Sequence, residues 1–461
     1  METIKKQYMI IGGGISGLSV LHFLRKSFGN EENLVSLLEK EKRTGGTIQT
    51  IVKDDIRFET GPDGFLNTAP HTHRLAEDLN LTGDFILAKK DAQIRYICIN
   101  NRLMALPLRP QEILSFPALN LFEKIRIFGD LFLEKSSQDD MSVYDFVSHR
   151  FGKRMADVVV DPFISGIYAG DAKDTSMKAA FPQVLAWEKE FGSVFRALKQ
   201  LKKQETGEHK SKVLMSFRKG MEQLIDQLSK CYEKDIKPNT EIDKVTYDGL
   251  RYCLHGHHQC FLTENLFLCT PAYNASYLVR ELDASLSVLF SRIKYVPVAV
   301  VGLVFDRNAL PSWPKGFGYL NPSQEKKEAL GVLFENNIFE NRCSDQKILL
   351  RVMLGGSYHP EVAKMDENEL VNRAMLEVRN VLKIKATPIE CFLVFWPKAI
   401  PQYDLSYPML QEKIEKKLSE WKNLFLVSNF FKGVGFNDCI TNAYLSVENL
   451  KNRNVAEPIP L

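Results

Sequence analysis

The chain has 461 residues, 44% of them hydrophobic, with 60 basic and 57 acidic side chains and a formal charge of +3. That length accommodates two or three domains with sizeable cores, and the near balance of charge argues against nucleic acid or any partner recognised by bulk charge. Eight Cys with no C-x-x-C pair, and His residues without ligand spacing, argue against a metal site and for reduced thiols in a cytosol-facing compartment.

The first element is expected at once. "QYMII" (7–11) is an apolar run of strand length, and a core strand this close to the start leaves no room for a leader peptide. "GGGISG" follows, and then "LSVLHFLRKSF" sets Leu18, Leu21 and Leu24 at near-helical spacing. In this strand, turn and helix, Gly12, Gly14 and Gly17 fill the G-x-G-x-x-G positions. There the absent side chains permit a tight turn, the approach of a pyrophosphate, and close helix packing, with free N–H groups facing the anion. A second strand, "LVSLL" (34–38), ends in Glu39, near the interval expected for a ribose-binding carboxylate. Gly45 and Gly46 in "EKRTGGTIQT" and the run "FETGPDGFLN" (58–67) add glycine-rich backbone that a nicotinamide dehydrogenase does not need, which favours FAD. Each piece alone also reads as a surface turn, and Glu39 alone as a solvated charge.

Residues 71 to about 212 read mostly as helix. Leu121, Ile125, Phe128 and Phe132 fall at i, i+4, i+7 and i+11. A helix packed on the core is the plain expectation, and an apolar face for a membrane surface or a greasy substrate is the other. Arg196, Lys199, Lys202, Lys203, Lys210 and Lys212 form a basic stretch that reads as a solvated linker, with anionic lipid as the second reading. The run 161–181, "DPFISGIYAGDAKDTSMKAAF", has two Gly and four Ala among aromatics and charges, and is expected to be a small-residue loop that something approaches closely. Beyond it come a helix in "SFRKGMEQLIDQLSKCY", strand blocks such as "VPVAVVGLVF", "ALGVLF" and "KILLRVMLGG", and a closing strand that leads through Gly433 and Gly435 into a helix. No run approaches the roughly 20 apolar residues of a membrane span.

In this order "GGGISGL", "GPDGF", "RYICINNRLMALP", "SGIYAGD...SMKAAFP", "GFGYL", "RVMLGGS", "AIPQY" and "GVGFNDCI" closely resemble the oxygen-dependent protoporphyrinogen oxidase family. That family belongs to the amine-oxidase-like FAD superfamily and includes coproporphyrinogen III oxidases. The resemblance implies an α/β (mixed α+β) fold with three parts: a discontinuous, Rossmann-like FAD-binding domain at 1–85, 213–280 and 412–461, a helical, membrane-associating region at 86–212, and a substrate-binding domain on a mixed sheet at 281–411.

The resemblance also implies site roles. FAD would meet Gly12, Gly13, Gly14, Ile15, Ser16 and Gly17, then Glu39, Lys40, Thr47, and Gly61, Pro62, Asp63 and Gly64. Ile242 would lie on the adenine side, with Pro408, Val434, Gly435 and Phe436 beside the ring system. A porphyrinogen would meet Arg95 through a propionate, and Gly166, Phe317, Gly318, Leu320, Phe334 and Met353 along an apolar cavity. The implied chemistry is a six-electron oxidation without a catalytic triad, in which molecular oxygen re-oxidises the flavin and peroxide leaves. The resemblance further admits a homodimer, peripheral contact with the cytoplasmic face of a membrane, and hand-over of product to a ferrochelatase. Ser165, Pro408 and Ser428 depart from the family pattern. Coproporphyrinogen III as substrate, and a non-catalytic binding protein on an FAD-type scaffold, are the alternatives.

Overall fold

A computed structural model describes residues 2–107, 109–136, 138–204, 212–257, 259–310 and 313–456. Strands Ile236–Lys237, Val35–Leu38, Tyr8–Ile11, Asn265–Leu268 and Leu424–Leu426 form, in that spatial order, a five-stranded sheet in which every pairing is parallel. Its strands are apolar at nearly every position because both faces are covered. On one face lie helices Ile15–Phe28, Glu222–Cys231 and Phe436–Ala456, with Leu18, Leu21 and Leu24 wholly buried as their spacing required. The other face packs on the antiparallel strands 242–263 and on helices 272–278, 284–291 and 407–419.

A seven-stranded mixed sheet forms the second body. Its strand order is Glu390–Pro401, Tyr295–Asp306, Lys347–Gly355, Ala329–Phe334, Gly318–Leu320, Tyr96–Ile99 and Arg102–Ala105. Pro297 lies inside the second of these, and the pairing register shifts between Val296 and Val298, as a residue without an N–H requires. One face packs on helix Glu367–Leu382. The hairpin 96–105 belongs to this sheet although the sequence places it within a helical region.

The segment 110–204 is otherwise helical. Within it, 161–168 is a helix and not the expected loop; it ends where Ala169 takes a left-handed conformation at φ 49°. The apolar stripe at 121–132 does form a helix and a following turn; it packs on the core through the adjacent Ile127 and through Phe128, stacked on Phe195 at 6.1 Å, while the rest of the stripe does not. Leu121, Phe122, Ile125 and Phe132 are 66, 83, 62 and 87% exposed, with Leu114 and Leu198 exposed as well. Residues 205–211 and the side chains of Lys202 and Lys203 lie outside the described set, so the basic run is placed only at Arg196, Lys199 and Lys212. Among the described residues no helix is long and apolar enough to cross a membrane, and all eight Cys are free thiols.

Candidate functional site

The glycine turn is built by packing before any ligand enters. Gly12 has φ +105°, and a Cβ there would lie 2.7 Å from the Cys269 carbonyl oxygen; a Cβ on Gly17 would lie 1.9 Å from that of Gly12. Gly14 is different. It caps helix Ile15–Phe28 with no side-chain hydrogen bond, and a Cβ on it would meet nothing within 4 Å. The first turn therefore presents free N–H groups, positive dipole and open space, which is the cradle a pyrophosphate fills.

Helix Phe436–Ala456 packs beside that helix, and the Ser16 hydroxyl hydrogen-bonds the Cys439 thiol, so two helix N termini converge. Gly433, at φ +127°, donates its N–H to the Tyr403 hydroxyl, and the Gly435 N–H donates to Asp438. Val434 and Phe436 sit between and after them, Phe436 stacked on Phe65 at 5.3 Å. Glu39 ends its strand as expected: one carboxylate oxygen accepts from the Gly13 N–H at 2.6 Å and the other from the Glu41 N–H at 2.8 Å. Ile242 is buried at the start of its strand, and Thr240 just before it donates its N–H to the Glu39 carbonyl. Gly45 and Gly46, both at positive φ, fold the next segment back on the turn, with Gly45 N–H donating to Gly13 and Thr47 left exposed. Lys40 is also exposed and pairs with Glu41 at 3.5 Å.

Gly61 and Gly64 are close-approach glycines: a Cβ would lie 2.3 Å from Thr47 O and 2.4 Å from Met215 O, respectively. Pro62 and Asp63 connect them, and Arg342 holds Asp63 through both the backbone carbonyl and the carboxylate. This arrangement fits an FAD: an open anion cradle at Gly14 on the helix N terminus, with the Glu39 carboxylate at the end of the neighbouring strand, while Gly61 and Gly64 serve close packing on Thr47 and Met215. Pro408 occupies the first turn of helix Tyr407–Ser419, and the aromatic groups near Gly433 are Tyr403 and Tyr407, stacked at 4.3 Å.

For the substrate residues, sheet register is decisive. Ile97 pairs with Leu320, Leu320 with Gly331, Gly331 with Met353, Met353 with Val300, and Val300 with Val394, so these six side-chain positions form one row on one face. Leu320 and Met353 therefore share a surface. Gly166 sits over it: a Cβ at 166 would lie 2.7 Å from Leu320 Cδ2. Arg95 precedes the Tyr96–Ile99 strand, with its guanidinium 5.1 Å from the centre of the Phe317 ring. Arg95 is exposed, and the surrounding protein desolvates it enough to lower its pKa. Gly318 is fixed by the strands themselves, since a Cβ there would meet the Val332 carbonyl oxygen at 2.1 Å.

Phe334 is a correction. It is wholly buried between Trp313 and Tyr319 in the core that faces helix Glu367–Leu382, on the opposite face of the sheet from Met353. Ser165 is also buried, its hydroxyl donating to the Pro162 carbonyl, so this departure from the family pattern points into the protein. Sequence reasoning missed Phe163 and Ile167, which flank Gly166 on one side of the helix and stay 38 and 44% exposed. Their i, i+4 spacing about a glycine was the available signal. It also missed Trp396, whose indole N–H donates to the Thr60 carbonyl beside Gly61.

Comparison with known proteins gives a consistent picture. The family model for flavin containing amine oxidoreductase matches residues 26–450. The chain is 29% identical to protoporphyrinogen oxidase 1, chloroplastic, of Arabidopsis thaliana, across 98% of this chain and 89% of the relative. It is 26% identical to coproporphyrinogen III oxidase of Bacillus subtilis, across 97 and 98%. A crystal structure from Exiguobacterium sp. 255-15, named "Putative protoporphyrinogen oxidase", superposes with a TM-score of 0.83 at 21% identity, covering 97% of this chain and 99% of the other.

Proposed function

The chain belongs to the flavin containing amine oxidoreductase family and is an FAD-dependent oxidoreductase, and from that premise we propose that it oxidises protoporphyrinogen IX to protoporphyrin IX late in haem biosynthesis. The observation that carries this reading is the pairing of an apolar sheet row, Ile97 to Val394, with a glycine-centred helix laid over Leu320. A flat, greasy macrocycle needs an apolar surface to lie against and a few charges at its rim to hold its carboxylates. Arg95, resting on Phe317 and without an acidic partner among the described residues, is the anchor for a propionate.

FAD, when bound, would supply the acceptor for a hydride from a meso carbon. Everything else falls to the chain. Leu320, Met353 and Val300 present an apolar floor, and Phe163 and Ile167 flank Gly166, which packs on Leu320. The pyrrole N–H proton released with each hydride passes to solvent, and no side chain is assigned to it. Oxygen as acceptor, peroxide release, a homodimer and hand-over to a ferrochelatase belong to the proposal through the resemblance. The three-part domain division also belongs to it, with 96–105 now assigned to the substrate sheet.

Peripheral membrane contact belongs to the proposal as well; what supports it is the exposure of Leu121, Phe122, Ile125 and Phe132. Coproporphyrinogen III remains the second substrate reading, supported by a relative of that activity aligned over 98% of its own length. Initial rates on the two porphyrinogens at equal enzyme decide between them: a higher kcat/KM on the dicarboxylate supports the first reading, and on the tetracarboxylate the second. A purified protein without flavin colour would support the non-catalytic scaffold instead.

A further inference from the structure

Behind the segment Gly61–Gly64 lies a buried ionic cluster that the proposed reaction does not use. Arg342 donates to Glu59 at 2.7 Å, to the Asp63 carbonyl at 2.9 Å, to the Asp63 carboxylate at 3.0 Å and to Ser216 at 3.1 Å. Arg351, reaching from the sheet, donates to the Gly61 carbonyl. Two guanidiniums thus grip both ends of the segment. Between them stands Glu335, 3.8 Å from Arg342 and 3.9 Å from Arg351, with neither carboxylate oxygen hydrogen-bonded. Glu59, Glu335 and Arg342 are each about 1% exposed.

Three carboxylates face two guanidiniums, so the cluster carries a net negative charge unless it holds one proton. Glu59 has its oxygens occupied by Thr50, Met221 N–H and Arg342, and Asp63 is tied to Arg342. Glu335 alone of the three lacks a hydrogen-bond donor. We propose that Glu335 is a positioning residue that holds this proton and, by gaining or releasing it, sets the charge behind the flavin-lining segment and so tunes the flavin potential.

This inference rests on the reading of Gly61–Gly64 as flavin-lining. Burial, followed by the Asp63 charge, pushes the Glu335 carboxyl up to about 8 against the opposing pull of Arg351 and Arg342. The other groups facing it are Glu59 and the Cys343 thiol, itself pushed up by burial to about 11, while Lys90 and Asp91 in the 90–93 turn packed on the same short helix are exposed. By thermodynamic reciprocity, a Glu335 whose ionisation shifts the flavin potential has its own affinity for the proton shifted by flavin reduction.

The test is the flavin midpoint potential of the purified holoprotein as a function of pH, in wild type, Glu335→Gln and Glu335→Asp. The wild-type profile should break near pH 8, the Asp variant should move the break, and the Gln variant should abolish it while retaining bound FAD. A break unchanged in Glu335→Gln, or none in wild type, overturns the proposal. Should Glu335→Gln not fold, the wild type alone decides: a protonated-carboxyl infrared band that titrates away near pH 8 supports it, and a band constant across that range contradicts it. A wild type that binds no FAD would instead sink the flavin reading, a different outcome.

Discussion

Gly166 stands against Leu320 so closely that a single added carbon would lie 2.7 Å from Leu320 Cδ2 and 3.1 Å from Cδ1. The helix can approach the sheet only because residue 166 has no side chain. The obstacle to a substitution is the far end of a flexible side chain and not backbone, so enlargement there displaces Leu320 before it unfolds the chain. Gly166→Val is therefore expected to retain FAD and lose porphyrinogen oxidation. Adding Leu320→Ala, which vacates the contested space, should recover part of the rate; loss of both FAD and fold in the single variant would show that the glycine serves only packing.

Arg95→Ala removes a guanidinium that has no acidic partner among the described residues and leaves Phe317 in place. A charge-assisted hydrogen bond contributes about 1.5–3 kcal/mol, so KM should rise roughly ten- to a hundredfold with FAD content unchanged. Steady-state kinetics with flavin quantification in the same preparations checks this, and unchanged KM places the anchor elsewhere.

Gly14→Ala separates cradle from fold. The position has φ −70° and free space around a built Cβ, so thermal stability should stay within a few degrees of wild type while FAD affinity falls at least about tenfold as the methyl enters pyrophosphate volume. Gly17→Ala, whose Cβ would meet Gly12 O at 1.9 Å, should lose both. Titration calorimetry of the apoprotein with FAD, beside melting curves, distinguishes the two.

His22 gives the fold an acid limit. It is wholly buried between Asp78 at 3.1 Å and the Tyr232 hydroxyl at 2.9 Å, and burial lowers its pKa from the ordinary 6.5 to about 4 despite the Asp78 carboxylate. The unfolded chain then binds more protons than the folded one between these values. Stability from this group is complete above pH 6.5 and declines as pH falls towards 4, by about 3 kcal/mol in all. Denaturant melts across that interval should show the decline in wild type and a smaller one in His22→Gln.

Phe122→Ser with Phe132→Ser removes two rings that are 83 and 87% exposed. Co-sedimentation with anionic vesicles should weaken several-fold without loss of melting temperature; equal sedimentation would place lipid contact on another surface.

How legible the site was depended on whether a residue's role is local. Gly12 and Gly17 were readable because the positive φ of Gly12 and the contact of Gly17 with Gly12 O both lie within the turn, and Glu39 because it ends a short strand at a fixed interval. Phe334 was misassigned because "ALGVLF" is apolar at every position; a strand buried on both faces shows no alternation of polarity, so nothing in it says which face a residue takes. The stripe from Leu121 to Phe132 showed an apolar side, yet helical spacing carries no information about what covers it. Glu59, Glu335, Arg342 and Arg351 looked like scattered charges: 283 residues of chain separate Glu59 from Arg342, which the fold brings to 2.7 Å, and Glu335 stands seven and sixteen residues from Arg342 and Arg351 at no spacing that marks a pair.

A porphyrinogen oxidase of this kind passes electrons from the porphyrinogen directly to its FAD. The most direct test mixes purified, FAD-loaded protein anaerobically with protoporphyrinogen IX or coproporphyrinogen III, then admits oxygen while flavin absorbance, porphyrin fluorescence and peroxide are followed. Bleaching of the flavin before oxygen, followed by multiple turnovers to fluorescent porphyrin and peroxide, is the expected result. Flavin that stays oxidised, with no porphyrin formed from either compound, would contradict the account.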